Sequence, residues 1–308
     1  MTTLVDQEPV RAEPPQPPAP SKPPTAARPP RPPAPLWVTM VSQALITLAV
    51  GALGLVVFLL VLTPIQQNND QDRLYANFRY QLADSTAPTG GAIADGVPVA
   101  LLNIPGLNLN QVVVQGTASG DLEKGPGHLA DTPLPGQGGS SYLYGKSLTF
   151  GSPFQQIDRL RAGDRITVTT GEGVFTYRVR DVRRPGQPVA PAPAKNTGRL
   201  VLETSDSKDM LWHGDTVIVD ADLLGMPAAT PSGYPSTIPA EDQTMAVDTN
   251  ATIPLVLWLE ALIALLAGVV WARHYWGRSQ ALLIGIPLLL AVTWNIYETV
   301  ARLLPNLV

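Results

Sequence analysis

Three long apolar runs constrain this chain more than any other feature of its sequence. The first covers residues 36–62, contains no charged residue and no proline, and exceeds the roughly 20 residues that a helix needs to cross a bilayer core. It is also longer than the apolar core of about 7–15 residues in a secretory signal peptide, so we expect it to remain as an anchor. Two further runs, 253–272 and 281–304, predict a helical hairpin.

Basic residues predict how these spans are oriented. The connector at 273–280 carries Arg273 and Arg278 and no acidic residue, and four more basic residues precede the first span: Arg11, Lys22, Arg28 and Arg31. Because positive charge in short loops favours the cytoplasmic side, we expect a cytoplasmic N-terminus and an extracytoplasmic segment at 63–252. The net charge of −4 is too small and too evenly spread to indicate a nucleic-acid partner.

Two segments have compositions that do not favour a packed core. Residues 1–35 consist largely of Pro, Ala and single charges, which predicts a disordered, polyproline-like tail. This tail is either a ligand for a proline-recognising partner or a spacer. Residues 227–252 are rich in Pro, Ser and Thr and predict a linker.

Residues 63–90 carry a helical pattern. Leu74, Phe78 and Leu82 recur four apart among polar residues, and Pro88 and Gly90 follow them. This spacing predicts an amphipathic helix that packs its apolar edge on the following domain.

Residues 91–226 change to short apolar or alternating runs, such as "NQVVVQG", "DRITVTT" and "VFTYRVRDV", separated by Gly and Pro. About eight such strands with short helices predict a mainly β fold, either a closed antiparallel barrel or a sandwich. The sequence contains no cysteine, so the domain cannot rely on disulfides.

Several motifs within 104–179 occur in a characteristic order: "IPG", "VVVQGT", "GPGH", "LPGQGGS", "YGKS" and "GSPF". Together they resemble the sortase family, most closely the class E or class D sortases of Gram-positive actinobacteria. The resemblance implies a closed β-barrel of about eight strands beside the three transmembrane helices. It also implies a peptide groove and catalytic Cys, His and Arg positions.

The chain departs from the family at these catalytic positions. Alignment with the motifs puts Lys146 at the histidine, Ser205 at the cysteine and Thr216 near the arginine. Sortase chemistry needs a thiolate nucleophile, an imidazole acid and an oxyanion donor. Because no cysteine is present, cysteine transpeptidation is excluded, and no intact catalytic residue is expected.

Ser205 and Lys146 could instead form the dyad of a serine–lysine acyltransferase or peptidase. Such a lysine needs a lowered pKa, whereas Asp206 and Glu203 beside the serine favour a charged lysine. We therefore interpret Lys146 as solvated or as paired with Asp206. The groove candidates implied by the resemblance or by proximity are His128, Tyr144, Asp206 and His213.

Polar residues also occur within the predicted hairpin, at Glu260, Asn295 and Arg302. Ionisable groups at membrane depth usually find a partner, so we expect Glu260 to pair with Asn295 or Arg302, or to contact another membrane protein. Three scattered histidines do not suggest a metal site, and no cofactor is expected.

The first hypothesis for function is a membrane-anchored, extracytoplasmic sortase-like pseudoenzyme that binds peptides or acts as a scaffold in cell-envelope protein display. The alternatives are the Ser205/Lys146 enzyme and a structural subunit of a membrane complex. Expected partners are the lipid bilayer and either an active sortase, a surface-protein peptide or another membrane subunit.

Overall fold

The computed structural model describes residues 36–207 and 214–308. The predicted tail at 1–35 and the candidate His213 lie outside these residues. The chain divides into two units between Leu48 and Ala49. The described part of the first unit is the start of a long helix, and the second unit contains every strand.

Five helices and eight strands make up the described fold. The helices are α1 (Leu36–Val57), α2 (Thr63–Ala83), α3 (Ser119–Leu122), α4 (Thr252–Tyr275) and α5 (Arg278–Arg302). The strands are β1 (Pro98–Ile104), β2 (Leu109–Gln115), β3 (Gly127–His128), β4 (Gly139–Tyr144), β5 (Arg165–Thr170), β6 (Gly173–Arg183), β7 (Gly198–Ser205) and β8 (Thr216–Leu224).

The strands close into a barrel in the order β1-β2-β3-β4-β7-β8-β6-β5, which confirms the predicted eight-stranded barrel. Two pairs, β2 with β3 and β4 with β7, are parallel rather than antiparallel as expected. Parallel neighbours need a long crossover, and β5 and β6 lie within the connection from β4 to β7. This arrangement places the ends of β4 and β7 side by side.

The barrel interior is apolar because the inward positions alternate along the strands. In β5, Ile166 and Val168 are buried between half-buried threonines. Every residue of β7 is buried, as expected for a strand with neighbours on both edges and cover on both faces. Other members of the core include Leu102, Ile104, Leu143, Phe154, Tyr177, Leu202 and Val219.

Helix α2 packs on the barrel in the way its spacing predicts. Phe78 is fully buried and packs with Val112, and Leu74 and Leu82 lie beside it. Gln71 adds a polar contact to the edge of β2, because its Oε1 accepts from Val112 N at 2.7 Å and its Nε2 donates to Val112 O at 3.0 Å. A π-helical turn at Phe58–Leu62 joins α1 to α2.

In the part of the chain that the structure describes, three helical stretches are long and apolar enough to cross a membrane: Trp37–Ala83, Thr249–Tyr275 and Arg278–Arg302. The last two form the predicted hairpin, which packs closely where Gly285 faces Val269, since a Cβ at Gly285 would lie 2.8 Å from Val269 Cγ2.

The predicted pairing of Glu260 with Asn295 or Arg302 is wrong. Glu260 is exposed and forms no ion pair with any residue in the described ranges. Asn295 donates to Ala291 O of its own helix at 2.8 Å. Arg302, in the last turn of α5, pairs with Glu298 at 2.9 Å and with Glu123 of the barrel domain at 3.4 Å. The reason is position, because Arg302 lies where α5 meets the barrel.

The predicted linker at 227–252 contacts the barrel at several points. Thr117 N donates to Asp242 Oδ1 at 3.1 Å, and Thr117 Oγ1 donates to Asp242 O at 2.7 Å. Residues 303–308, which follow α5, are also held against the barrel. The contacts of the barrel therefore extend beyond the predicted boundaries of 91–226.

Candidate functional site

The ends of β4, β7 and β8 meet at one end of the barrel. Tyr144 of β4 pairs with Glu203 of β7, and beyond this pair Thr204 Oγ1 donates to Gly145 O at 2.7 Å. Lys146 follows Gly145, and Ser205 follows Thr204. Ser205 in turn pairs with Thr216 at the start of β8. Lys146 thus follows β4, Ser205 ends β7 and Thr216 begins β8. The three positions assigned from the motifs therefore lie at the ends of neighbouring strands.

Ser205 lies on a polar cleft of about 450 Å³. Its Oγ is 2.6 Å from Ser207 Oγ and accepts from Ser207 N at 3.1 Å. The remaining cleft residues include both charges and amides: Ser147, Gln155, Gln156, Asp158, Arg159, Arg184, Thr204 and Asp206. The cleft therefore offers donors and acceptors suited to the backbone of an extended peptide.

Lys146 does not line this cleft. It is fully buried, and its Nζ donates to Ser119 Oγ at 3.3 Å and to Val308 O at 3.4 Å. The Phe150 ring lies 5.6 Å from the same nitrogen. The expected solvated lysine is therefore wrong, and so is its pairing with Asp206, which is bound by Arg184 instead. The side chain turns away from the cleft, whereas the neighbouring Ser147 lines it.

The acidic residue that affects the pKa of Lys146 is Glu123, not the acids beside Ser205. Burial lowers the pKa of Lys146 to about 8, and Glu123 opposes this shift. Burial also raises the pKa of Glu123 to about 7, against the opposing effects of Arg302 and Lys146. The prediction that Asp206 and Glu203 keep Lys146 charged is therefore wrong. Lys146 lies instead in a buried cluster with Glu123, in which burial disfavours the charged form of both groups.

The other groove candidates occupy different places. Asp206 lines the cleft, but His128 and Tyr144 do not. His128 Nδ1 lies 3.0 Å from Gln115 Oε1, and burial lowers the pKa of this histidine to about 4. Tyr144 Oη lies 2.7 Å from Thr244 Oγ1, and burial raises its pKa to about 12. Both side chains support the barrel wall.

Sequence reasoning missed Glu123, Ser119 and Arg184. The first two are four residues apart around the short helix α3, a spacing that puts both on one helical face. That spacing was the available signal for the Lys146 partners. Within the described ranges, no group of three or more His, Asp or Glu side chains could hold a metal ion.

Comparisons with known proteins agree on one family. Residues 102–223 match the family model described as a sortase domain. Sortase D of Bacillus subtilis is 34% identical over 84 residues, covering 27% of this chain and 41% of its own length. Sortase SrtE1 of Streptomyces coelicolor is 29% identical over 149 residues, 46% of this chain and 42% of its own length. The chain thus spans less than half of either relative.

Two solved structures are similar as well. A Clostridium perfringens sortase D5 transpeptidase is 22% identical with a TM-score of 0.44, and the match covers 51% of this chain and 99% of that one. Sortase E from Streptomyces avermitilis is 27% identical with a TM-score of 0.36, covering 43% and 91%.

Proposed function

We propose that this chain, whose residues 102–223 match the sortase domain model, is a membrane-anchored pseudoenzyme that binds peptides without transferring them. The observation that carries the proposal is the separation of Ser205 from Lys146. Ser205 is itself buried but lines a polar cleft, whereas the Lys146 side chain is buried among other partners and does not line that cleft. The cleft can hold a peptide, but this lysine is not placed to activate the serine.

The Ser205/Lys146 enzyme is disfavoured by this geometry. A serine nucleophile needs a base within hydrogen-bond reach, and among residues 36–207 and 214–308 the Ser205 hydroxyl contacts Ser207 instead. The adjacent Asp206 carboxylate is bound by Arg184. No cysteine exists to supply a thiolate. A bound peptide would therefore remain intact, as suits a scaffold or regulator in envelope protein display.

Sorting-signal peptides supply the test of this proposal. We expect the full-length protein in detergent to bind fluorescent peptides of the LPxTG or LAxTG type saturably, without cleavage and without labelling of Ser205 by acylating serine probes. Gln156→Trp should fill the cleft and weaken binding at least tenfold, whereas Val189→Trp, at an exposed position outside the cleft, should not. Fluorescence anisotropy and mass spectrometry provide the readouts.

Two outcomes would contradict the proposal. Peptide turnover with Ser205 labelling that disappears in Lys146→Ala would establish the serine–lysine enzyme. No peptide binding by the wild-type protein would favour a structural subunit whose barrel is an assembly surface.

We further propose that the barrel is extracytoplasmic, with the basic connector at 273–280 in the cytoplasm. A reporter that is active only outside should be active when inserted between Pro235 and Ser236, which are exposed, and inactive between Arg273 and Arg278. Immunoblots control for the abundance of each fusion. An inverted pattern would refute the orientation.

A further inference from the structure

The segment that follows α5 is buried in the barrel domain. Pro305, Asn306, Leu307 and Val308 are all buried, and Asn306 and Leu307 are fully inaccessible. The segment forms a turn, because Val308 N donates to Pro305 O at 3.0 Å, and its other backbone groups need partners outside it. The segment 305–308 finds them in the loop after β4 and at Ala246, whose O accepts from Asn306 N at 2.9 Å.

The loop after β4 binds the backbone of the segment. Ser147 N donates to Leu307 O at 2.9 Å, and Ser147 Oγ donates to the same oxygen at 3.1 Å. Thr149 Oγ1 donates to Val308 O at 2.7 Å, and Lys146 Nζ contacts that oxygen at 3.4 Å. Four donors from one short loop thus converge on the backbone oxygens of two successive residues.

Side chains provide selectivity for the sequence of the segment. Asn306 Nδ2 donates to Thr117 O and to Gln243 O, both at 2.9 Å. Leu307 packs with Leu122, Leu129 and Tyr144 in a small apolar cluster. An amide that bridges two backbone carbonyls and a leucine in a closed pocket are features of peptide recognition.

We infer that the barrel has a second peptide-binding site, which adjoins the Ser205 cleft at Ser147, and that residues 305–308 are its built-in ligand. The site accepts a peptide that forms a turn and carries an Asn followed by an apolar residue. Its occupant covers the side of the barrel that holds the Lys146 side chain. Because the same segment continues from α5, and because Arg302 contacts Glu123 at 3.4 Å, the occupant also ties the hairpin to the barrel. A partner that displaces α5 would release the segment and expose both Lys146 and the site.

Lysine modification in the full-length protein tests this inference. Reductive methylation should leave Lys146 unmodified in the wild-type protein and modify it at least tenfold faster in Leu307→Asp, which places a charge in the apolar pocket. Lys195, which is exposed, is the internal control and should react equally in both. Leu307→Met is the matched variant that should keep Lys146 protected.

Rescue in trans separates loss of the ligand from misfolding. Deletion of residues 305–308 should expose Lys146, and an added peptide of sequence LPNLV should bind the deletion variant, restore protection, and bind the wild-type protein at least tenfold more weakly. If the deletion variant does not fold, Asn306→Ala should still raise the Lys146 rate severalfold. Continued protection of Lys146 in Leu307→Asp and Asn306→Ala, or a folded deletion variant that does not bind LPNLV, would overturn the inference. None of these results depends on peptide binding at the Ser205 cleft.

Discussion

Replacing Gly127 by alanine is expected to lower the free energy of unfolding by about 3 kcal/mol, the upper part of the range for overpacking a buried site. Gly127 is a residue of the "GPGH" motif and lies in β3. A Cβ at this position would lie 2.1 Å from Gly116 O and 2.7 Å from Leu122 Cδ2. The nearest obstacle is a backbone carbonyl at the end of β2, which cannot rotate away as a flexible side chain could.

Gly106→Ala is the matched control, because a Cβ there would meet nothing within 4 Å. Neither glycine has a positive φ, so the two substitutions differ in the space around the new methyl group and not in a left-handed backbone. Denaturant unfolding of the full-length protein in detergent measures both. Equal stabilities for the two variants would show that the barrel adapts at β3.

Glu123→Gln is expected to destabilise the protein by about 2 kcal/mol, within the range for losing a hydrogen bond to a charged group. The substitution removes a buried carboxylate that contacts Arg302 at 3.4 Å and that opposes the lowered pKa of Lys146. Lys146 forms no ion pair with Glu123, so its share of the loss is the longer-range attraction between the two groups. Glu241→Gln, at a carboxylate that accepts from Asn250 Nδ2 at 3.2 Å, should change stability by less than about 0.5 kcal/mol, as is usual at surface positions.

The double variant Glu123→Gln/Lys146→Met provides the decisive comparison. Replacing a buried pair by neutral or apolar groups is often tolerated even where breaking it is costly. We therefore expect the double variant to recover the part of the loss in Glu123→Gln that comes from Lys146, but not the part that comes from Arg302. Additive losses in this cycle would show that the two side chains do not interact.

The barrel could be predicted because its evidence is local. Alternation in strands such as β5 and the four-residue spacing of Leu74, Phe78 and Leu82 depend on neighbours in the chain. The parallel pairing of β4 with β7 could not be predicted in this way. Strands β5 and β6 lie between them in the sequence, and β4 and β7 meet only when the barrel closes. The family motifs supplied the closed topology that periodicity alone left open.

The surroundings of Lys146 were not predictable from its position in the sequence. Its expected partners were the acids beside Ser205, because the pairing of β4 with β7 brings the backbones of these two segments close together. The observed partners come from elsewhere: Ser119 is 27 positions away and Val308 is 162. Which face a loop side chain takes depends on such distant contacts, and no periodic pattern encodes it. The same limit explains why Arg302 was assigned to Glu260 and not to Glu123.

Gln71 of α2 completes the hydrogen bonding of the sheet at the edge of β2. Strand β2 has β3 as its neighbour for only two residues, and the Gln71 amide takes the place of a further strand by binding both Val112 N and Val112 O. Unprotected strand edges recruit other chains. A barrel separated from α2 would therefore carry a gap in its hydrogen bonding at Val112, and its self-association would reflect the missing glutamine and not the behaviour of the anchored protein.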